Sequence, residues 1–364
     1  MSVLTDKIQE FKINFEKGQL IGIDIGLSSV KMAYLSQPKK NQFRLEKFYK
    51  HDLSEAAIIE DEIQKPEEVI EAITSGIAEM GLKKVHIACL GMDGPNTMTK
   101  RLQVPDGVDE EVEDNILWES EQYIPFGVDD VEIGFSIIGK IEEEDVVDAI
   151  VGAAKTDVVE RYMEYLKEAN LVAKVVDLNV LALTNIFEHL YEDQLDEISE
   201  EGAVIFDFGA QYTTIMVYKN NGPVLTKELN IGGVLVTEEI QRTMGVSYEE
   251  AEDLKIHGDD NGNLPEEIIG LIETHIRKII EELKKVLNFY IAAGSSEQVG
   301  YCFVTGGSSQ LPGLVQALQD LIDIEVVELN PFDAIEVKGK FSEEELEDVL
   351  SSGLVALGLG MRSV

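Results

Sequence analysis

The sequence predicts an α/β fold with two related lobes and a small α+β subdomain inserted in the first lobe. A strand–turn–strand pattern with an aspartate before the turn occurs twice, at residues 20–34 and 203–217. Short apolar runs typical of strands alternate with amphipathic helical segments along the chain. Its 364 residues exceed one usual domain. An internal repeat in a chain of this size predicts two lobes of common design.

The first hairpin carries an aspartate inside an apolar strand. Residues 20–25 and 30–35 have strand character, and Asp24 lies in the first of these runs. An unpaired carboxylate is costly to bury, and a hydrated divalent cation is the expected partner. The turn between the strands contains Gly26, Ser28 and Ser29. Backbone N–H groups of such a turn can approach a phosphate group closely.

The second hairpin repeats this arrangement. Asp207 and Gly209 have the same spacing, and Thr213 and Thr214 follow a turn that is one residue longer. One hairpin of this kind is more often an ordinary turn with a solvated aspartate. Two of them facing each other across a cleft would hold one polyphosphate with its metal ion, so the duplication favours a nucleotide-binding cleft.

Composition and charge argue against several function classes. With 44% hydrophobic and 27% charged residues, the chain has the composition of a folded globular protein. A formal net charge of −40 argues against binding to nucleic acid or to anionic membrane surfaces. We recognise no run of ~20 apolar residues and no signal-peptide core, so we expect a cytoplasmic protein without direct membrane insertion. Cys89 and Cys302 lie in apolar runs and are expected to be buried free thiols.

In chain order, the first lobe is expected to comprise residues 20–97 and 174–200. Residues 1–19 form an amphipathic segment ahead of it, with apolar side chains at helical spacing. After the hairpin we expect a strand, a helix and a buried strand, at residues 42–51, 66–81 and 84–90. Beyond the inserted subdomain, the lobe resumes with a strand, a helix and an acidic linker, at residues 175–179, 180–191 and 192–201.

The inserted α+β subdomain is expected at residues 98–173. Its predicted strands are residues 98–105, 131–138 and 146–154, and its predicted helices are residues 110–123 and 156–169. Pro125 and Gly127 end the first of these helices, which contains Trp118.

The second lobe is expected at residues 201–351, with a helical subdomain at about 234–292 and a closing helix, 352–364, that packs on the first lobe. Gly232 and Gly233 precede the first predicted helix of this subdomain. A strand at residues 301–305 ends in three small residues, Gly306, Gly307 and Ser308. Because glycine has no Cβ, this segment would let the backbone approach a flat ligand or a phosphate group.

Several stretches are specific enough to indicate a family. They are L-W-E-S-E-Q-Y-I-P-F at 117–126, D-F-G-A-Q-Y-T-T at 207–214, I-G-G-V-L-V-T-E-E-I at 231–240, Y-E-E-A-E-D-L-K at 248–255, V-T-G-G-S-S-Q-L-P-G-L at 304–314 and L-N-P-F at 329–332. From about residue 20 onward the chain resembles the PilM family of type IV pilus assembly proteins. That family belongs to the actin-like ATPase superfamily and is related to FtsA. The resemblance implies an actin-like two-lobed fold with ATP and Mg²⁺ bound between the lobes.

The resemblance also implies roles for particular residues. Asp24 and Asp207 would bind Mg²⁺ through water. The phosphates would be held by Gly26, Ser28, Ser29, Lys31, Gly209, Thr213 and Thr214. Glu252 and Lys255 resemble the pair that contacts ribose and adenine. The nucleoside would be lined by Gly232, Gly233, Gly306, Gly307 and Ser308.

The chain departs from the family at the strand that links the lobes. Relatives that hydrolyse ATP well place an acid or a glutamine there to position the attacking water. PilM-like chains usually have a Glu-Pro-like pair, whereas this chain has Asp177-Leu178-Asn179-Val180. Asn179 cannot act as a base at neutral pH, and Asp177 is the nearest acid in sequence. We therefore expect ATP binding with weak or absent ATPase activity. Tyr212 also replaces a usually small polar residue in the second turn.

The resemblance implies a scaffold function in the pilus machine. The groove between the first lobe and the inserted subdomain would hold the cytoplasmic N-terminal peptide of the membrane protein PilN. Other components, such as the assembly motor, would bind elsewhere, placing the protein at the inner membrane through its partners. One alternative is a small-molecule kinase of the same superfold. Another is an FtsA-like filament-forming protein, although that family usually ends in an amphipathic membrane helix that we do not recognise here.

Overall fold

The computed structural model describes residues 20–59, 62–82, 84–259, 262–292 and 299–363. The predicted amphipathic segment at residues 1–19 lies outside these ranges. Two mixed sheets form the centres of two lobes, and a three-stranded antiparallel sheet forms the inserted subdomain. The α/β architecture predicted from the sequence is confirmed.

The first lobe and the inserted subdomain occupy the first half of the chain. The lobe begins with β1 (Ile21–Ile25), β2 (Ser29–Lys39), β3 (Gln42–Asp52), β4 (Ile58–Ile59), β5 (Glu62–Ile63), α1 (Pro66–Glu79) and β6 (Ile87–Met92). The inserted subdomain contains β7 (Thr97–Pro105), α2 (Asp109–Glu121), β8 (Val131–Ile141) and β9 (Val146–Lys155). The chain returns to the lobe through α3 (Thr156–Glu168), β10 (Val172–Leu178), α4 (Asn179–Leu190) and α5 (Leu195–Glu201).

The second lobe follows, and the last segments of the chain return to the first. Its elements are β11 (Ala203–Phe208), β12 (Thr213–Tyr218), β13 (Pro223–Leu229), α6 (Val234–Met244), α7 (Tyr248–His257), α8 (Glu266–Ala292), β14 (Tyr301–Thr305), α9 (Leu314–Leu321) and β15 (Val326–Glu328). The final elements are β16 (Glu336–Val337), α10 (Glu343–Ser352) and α11 (Leu354–Gly360).

Strand pairing shows that the two lobes share one design. In the first sheet β1 pairs antiparallel with β2 and parallel with β6, and the full order is β10-β6-β1-β2-β3-β16. In the second sheet β11 pairs antiparallel with β12 and parallel with β14, in the order β13-β12-β11-β14-β15. Each hairpin therefore holds the same place in its sheet, which brings both turns to the carboxyl ends of the central strands.

Three predicted boundaries differ from the structure. Helix α3 was expected in the inserted subdomain, but Leu166 is fully buried in the first-lobe core with Ile73 of α1, so the subdomain ends near residue 155. Strand β16 pairs with β3, so the first lobe resumes before the expected boundary at residue 351. The acidic linker contains helix α5, because Ile198 is buried in the core between the lobes.

The two lobes share a hydrophobic core beneath the cleft. Leu35 of the first sheet, Ile205 and Phe303 of the second sheet, and Phe187 of α4 belong to one buried cluster. Helix α11 packs so closely on this region that a Cβ at Gly358 would lie 2.0 Å from the backbone oxygen of Ala182. The shared core fixes the base of the lobes, and the hairpin turns lie above it. The cysteines Cys89 and Cys302 are buried free thiols, as predicted.

Candidate functional site

A cleft of about 1420 Å³ separates the lobes, and both hairpin turns line it. The first lobe contributes Asp24 to Ser29, the second contributes Asp207 to Tyr212 except Phe208, and the glycine segment after β14 closes one side. The predicted residues that line the cleft are Asp24, Gly26, Ser28, Ser29, Lys31, Asn179, Asp207, Gly209, Thr214, Glu252, Lys255, Gly306, Gly307 and Ser308. Residues separated by up to 284 positions in the sequence therefore face one space.

The first turn balances its buried carboxylate with a lysine. Asp24, only 6% exposed, is the second-last residue of β1 and lies directly opposite Lys31 of β2. The Lys31 Nζ donates to Asp24 Oδ2 at 3.1 Å. The sequence predicts a hydrated divalent cation near this carboxylate, and among the described residues the ammonium group of Lys31 is one of its partners. Below them, Gly26 N donates to the Ser29 carbonyl at 3.0 Å and closes the turn.

The second turn has the same shape but different electrostatics. Gly209 N donates to the Tyr212 carbonyl at 2.9 Å, and Asp207 lies opposite Thr214, which replaces the lysine. Burial and, to a smaller extent, the nearby Asp24 carboxylate raise the pKa of Asp207 to about 6, while Lys31 acts in the opposite direction. Two aspartates in matching positions thus face one cleft with a single lysine between them.

An aspartate that sequence reasoning missed lies beside the first turn. Asp93 lines the cleft just after β6. The Asn179 Nδ2 donates to Asp93 Oδ2 at 3.0 Å and more weakly to Asp24 Oδ1 at 3.4 Å. The Asn179 Oδ1 is buried and has no hydrogen-bond partner among the described residues. The available signal was a carboxylate at the end of a buried strand parallel to β1, because such ends share one sheet edge.

Asp177, the other candidate for positioning water, does not line the cleft. Its Oδ2 accepts a hydrogen bond from Arg362 Nε at 2.5 Å, and its Oδ1 accepts from Leu178 N at 2.9 Å. Successive side chains of a strand point to opposite faces, and the side chain of Asp177 lies on the face covered by the C-terminal segment. The structure therefore brings Asn179, and not Asp177, to the cleft.

Glu252 and Lys255 form a partly buried pair in the second lobe. The Lys255 Nζ donates to both carboxylate oxygens of Glu252, at 2.7 and 2.8 Å, and to Thr237 Oγ1 at 2.9 Å. The Glu252 carboxylate also accepts a hydrogen bond from Thr237 at 2.5 Å. Both charged side chains face the cleft and are oriented before any ligand arrives.

Three predicted residues act behind the cleft surface. Thr213 is fully buried, and its hydroxyl donates to the Ile231 carbonyl at 2.6 Å. A Cβ at Gly232 would lie 2.4 Å from the Ala210 oxygen, and one at Gly233 would lie 2.3 Å from Ser308 Oγ. They do not line the cleft, and instead let the backbone pack directly against the second turn.

His275 supports the same glycines and was not predicted. It lies on α8, is 5% exposed, and forms a hydrogen bond with the backbone of Gly232. Burial lowers the pKa of His275 to about 4, and Lys278 and Lys255 contribute in the same direction. The ring is therefore neutral at physiological pH.

Gly306 is required by the geometry of the site. Its φ is +91°, and a Cβ there would lie 2.3 Å from Asp207 Oδ1 and 2.5 Å from the Phe208 oxygen. A Cβ at the adjacent Gly307 would meet nothing nearer than Ser352 Cβ at 4.0 Å. Gly306 thus lets β14 pass close to the second carboxylate.

The cleft is strongly acidic. Its lining includes the carboxylates of Asp24, Asp52, Glu55, Glu68, Asp93, Asp207, Glu249, Glu252, Asp253, Glu328, Glu344, Glu347 and Asp348, against the lysines Lys31, Lys50 and Lys255. Within the described part of the chain, no three His, Cys, Asp or Glu side chains are placed to hold a metal ion directly.

Comparison with known proteins identifies the family. A sequence model of the type IV pilus assembly protein PilM family matches residues 22–364. The chain belongs to the PilM family.

Solved structures support the same assignment and the actin-like ATPase fold. A "PilM-PilN type IV pilus biogenesis complex" is 25% identical, covers 94% of this chain and 98% of that chain, and superposes with a TM-score of 0.81. The ethanolamine utilization protein EutJ from Carboxydothermus hydrogenoformans is 13% identical, with a TM-score of 0.58 over 97% of this chain and 93% of its own. That second likeness concerns the fold alone.

Among curated sequences, the chain matches cell division protein FtsA from Enterococcus faecalis. The two are 23% identical over 199 residues, which is 49% of this chain and 43% of FtsA. The alignment thus spans less than half of that relative. None of the described helices is long and apolar enough to cross a membrane.

Proposed function

We propose that this PilM-family chain binds Mg-ATP between its lobes and acts, loaded with nucleotide, as a scaffold in type IV pilus assembly. The observation that carries the proposal is the pair of matched Asp-x-Gly turns lining one cleft. An acidic cleft repels a free polyphosphate, so phosphate groups would enter together with a divalent cation. The partly buried Lys31 and the close backbone approach at Gly306 fit such a ligand.

Different residues would bind the metal ion, the phosphates and the nucleoside. Asp24 and Asp207 would accept hydrogen bonds from water bound to Mg²⁺, while the metal neutralises phosphate charge. Lys31 would exchange part of its contact with Asp24 for a phosphate oxygen, and the backbone N–H groups of both turns would donate to the phosphates. Glu252 and Lys255 would contact the ribose and adenine.

We expect weak or absent ATPase activity. An asparagine side chain cannot accept a proton from water at neutral pH, and Asn179 is already hydrogen-bonded to two aspartates. Asp177 is held by Arg362 away from the cleft. These two residues are therefore poorly placed to position an attacking water molecule, as expected of a protein that remains loaded with ATP.

The similarity to a PilM-PilN complex supports PilN as the partner. We propose that the cytoplasmic N-terminal peptide of PilN binds in the groove between the first lobe and the inserted subdomain. Trp118 and Tyr123 of that subdomain are 65% and 44% exposed, which leaves aromatic surface for contacts. Such binding, with the assembly motor bound elsewhere, would keep a cytoplasmic protein at the inner membrane through its partners.

Titration calorimetry with Mg-ATP tests the nucleotide site. Asp24→Asn and Asp207→Asn should each weaken binding about 10- to 100-fold, because each removes a charge that orients metal-bound water. Asp52→Asn is the matched control, since this cleft aspartate has a 78% exposed side chain and should leave the affinity unchanged. Unchanged affinity in both site variants would remove the assignment.

Extraction of the bound nucleotide after prolonged incubation tests the scaffold function. Recovery of ATP with little free phosphate is expected. Steady release of phosphate, with ADP bound, would contradict the proposed lack of turnover.

A further inference from the structure

Arg101 of the inserted subdomain bonds to the second lobe. It lies on β7 and pairs with Asp148 of β9, where Nε donates to the two carboxylate oxygens at 2.9 and 3.0 Å and Nη2 donates to one of them. Its Nη1 donates to the backbone oxygens of Lys219 at 2.8 Å and Gly222 at 3.3 Å. Its Nη2 also donates to the Asn220 oxygen at 2.7 Å. All five N–H donors of the guanidinium therefore have acceptors.

The turn that receives Arg101 is held in a fixed shape. Asn220 and Asn221 both have positive φ, 50° and 61°, and Lys219 N donates to the Gly222 oxygen at 2.9 Å. This is the tight hairpin turn that matches strand twist. Asn221 N also donates to Ser199 Oγ at 2.7 Å, which ties the turn to α5. The carbonyl oxygens are thus presented as a preformed acceptor group.

Burial makes this contact resistant to solvent. The side chains of Arg101 and Asp148 are 12% and 6% exposed. Charged hydrogen bonds in such surroundings are stronger and less screened by salt than those on the surface. A Cβ at Gly222 would lie 2.9 Å from Ile138 Cδ1, so β8 packs tightly on the turn as well.

Each end of the contact is one strand away from the cleft. On the subdomain side, β7 begins immediately after Asn96, which lines the cleft. On the second-lobe side, β12 begins immediately after Tyr212 of the second hairpin turn and ends at the turn that Arg101 contacts. A change in the separation of the lobes would therefore act on both ends of this contact.

We propose that Arg101 and Asp148 form a brace that couples occupancy of the cleft to the position of the inserted subdomain. The inference rests on the proposed function, because it requires a nucleotide that binds one arrangement of the lobes preferentially. When the second lobe moves, its hairpin turn moves with β12, and the brace carries the subdomain along. A partner on that subdomain then has different affinities for the empty and loaded protein.

Hydrogen exchange of the full chain, with and without Mg and a non-hydrolysable ATP analogue, tests the brace. In the wild-type protein, amide exchange in β7 and in residues 219–222 should slow together by about fivefold or more on loading. Arg101→Lys keeps the charge but cannot form the forked contacts. It should bind the analogue within about twofold of wild type by calorimetry, yet lose the response in β7 while the cleft turns still respond.

Two further variants make the test decisive. Asp148→Asn weakens the brace from its other member and should also reduce the β7 response. Lys140→Gln removes the ion pair between Lys140 and Asp106, which involves no residue of the second lobe, and should leave the response intact. A wild-type β7 response retained in both Arg101→Lys and Asp148→Asn would overturn the proposal. The proposal would also be overturned if the wild-type protein bound the analogue but showed slower amide exchange only in the cleft turns. Failure of the wild type to bind would instead overturn the nucleotide site itself.

Discussion

Asp24 and Asp207 occupy matching positions in their hairpins, but the residues opposite them differ. Asp24 has Lys31 opposite it at 3.1 Å, whereas Asp207 faces Thr214. Burial, together with the nearby Asp24 carboxylate, raises the pKa of Asp207 to about 6. Ionised Asp207 is therefore disfavoured in the folded protein compared with the unfolded chain. The cost is incurred at a residue that the proposed function needs in its charged form.

Asp207→Asn should stabilise the empty protein at neutral pH. Because the folded pKa of about 6 lies above the ordinary value of 3.8, ionisation of Asp207 costs stability as pH rises from about 4 to 6, and the cost is constant above that range. Removing the charge should then raise the free energy of unfolding by roughly 1–3 kcal/mol at pH 8 and by less at pH 5.

Thermal melts of the wild type, Asp207→Asn and the Asp52→Asn control across pH 5 to 8 measure this effect. The Asp207→Asn gain should grow up to about pH 6 and then level off, while the same variant binds Mg-ATP about 10- to 100-fold more weakly. If the gain in stability were independent of pH, or if Asp207→Asn were less stable than the wild type at pH 8, the fold would not oppose the ionisation of Asp207.

At the level of elements, the two glycines after β14 differ in whether the fold requires a glycine at that position. Gly306 has φ of +91° and no space for a Cβ beside Asp207, whereas Gly307 has open space. Gly306→Ala should therefore destabilise the protein by about 1–3 kcal/mol or more, because it combines backbone strain with a clash.

Urea unfolding of Gly306→Ala and Gly307→Ala compares the two positions. Gly307→Ala is the matched control and should unfold within about 0.5 kcal/mol of wild type. Equal destabilisation by both changes would contradict the structural distinction. The contrast also bears on the site, since only Gly306 contacts the second aspartate.

Local sequence patterns predicted the elements whose signals are local. The two hairpins were predictable because strand periodicity and turn residues lie within fifteen positions of each other. Helix α10 was not predicted, since its acidic sequence suggests exposed surface. Its signal was the capping box in which Ser342 and Glu345 exchange hydrogen bonds at the first turn.

The remaining site residues depend on contacts between distant segments. Asp93 enters the cleft because β6 lies parallel to β1 and β10, a pairing that no local pattern determines. Asp177 lies outside the cleft because its carboxylate accepts a hydrogen bond from Arg362, which lies 185 positions further along the chain. Likewise, the burial of Leu166 against α1, and not its helical pattern, assigns α3 to the first lobe.

Considered as a whole, the molecule carries a charge that opposes its proposed ligand. The formal net charge is −40, and all three cleft lysines are paired, Lys31 with Asp24 at 3.1 Å, Lys50 with Asp348 at 2.7 Å and Lys255 with Glu252. Local groups and Mg²⁺ must therefore overcome a repulsive long-range field. The affinity for Mg-ATP and its association rate should respond differently to salt, because the electric field of the net charge acts over longer distances than the contacts in the cleft.

Association of Mg-ATP should consequently become faster as salt is added. Between about 0.01 and 0.15 M ionic strength the screening length falls from about 30 to 8 Å, which removes most of the repulsion between the anionic protein and the anionic complex. We expect the association rate constant to rise by about threefold or more, opposite to a ligand attracted by a basic site. Stopped-flow measurements with a fluorescent ATP analogue at constant free Mg²⁺ give this rate constant. The corresponding neutral nucleoside is the control, and its association rate constant should not change with salt. A rate constant that falls with salt would mean that the local charges at the cleft entrance, and not the net charge, govern the approach of the nucleotide.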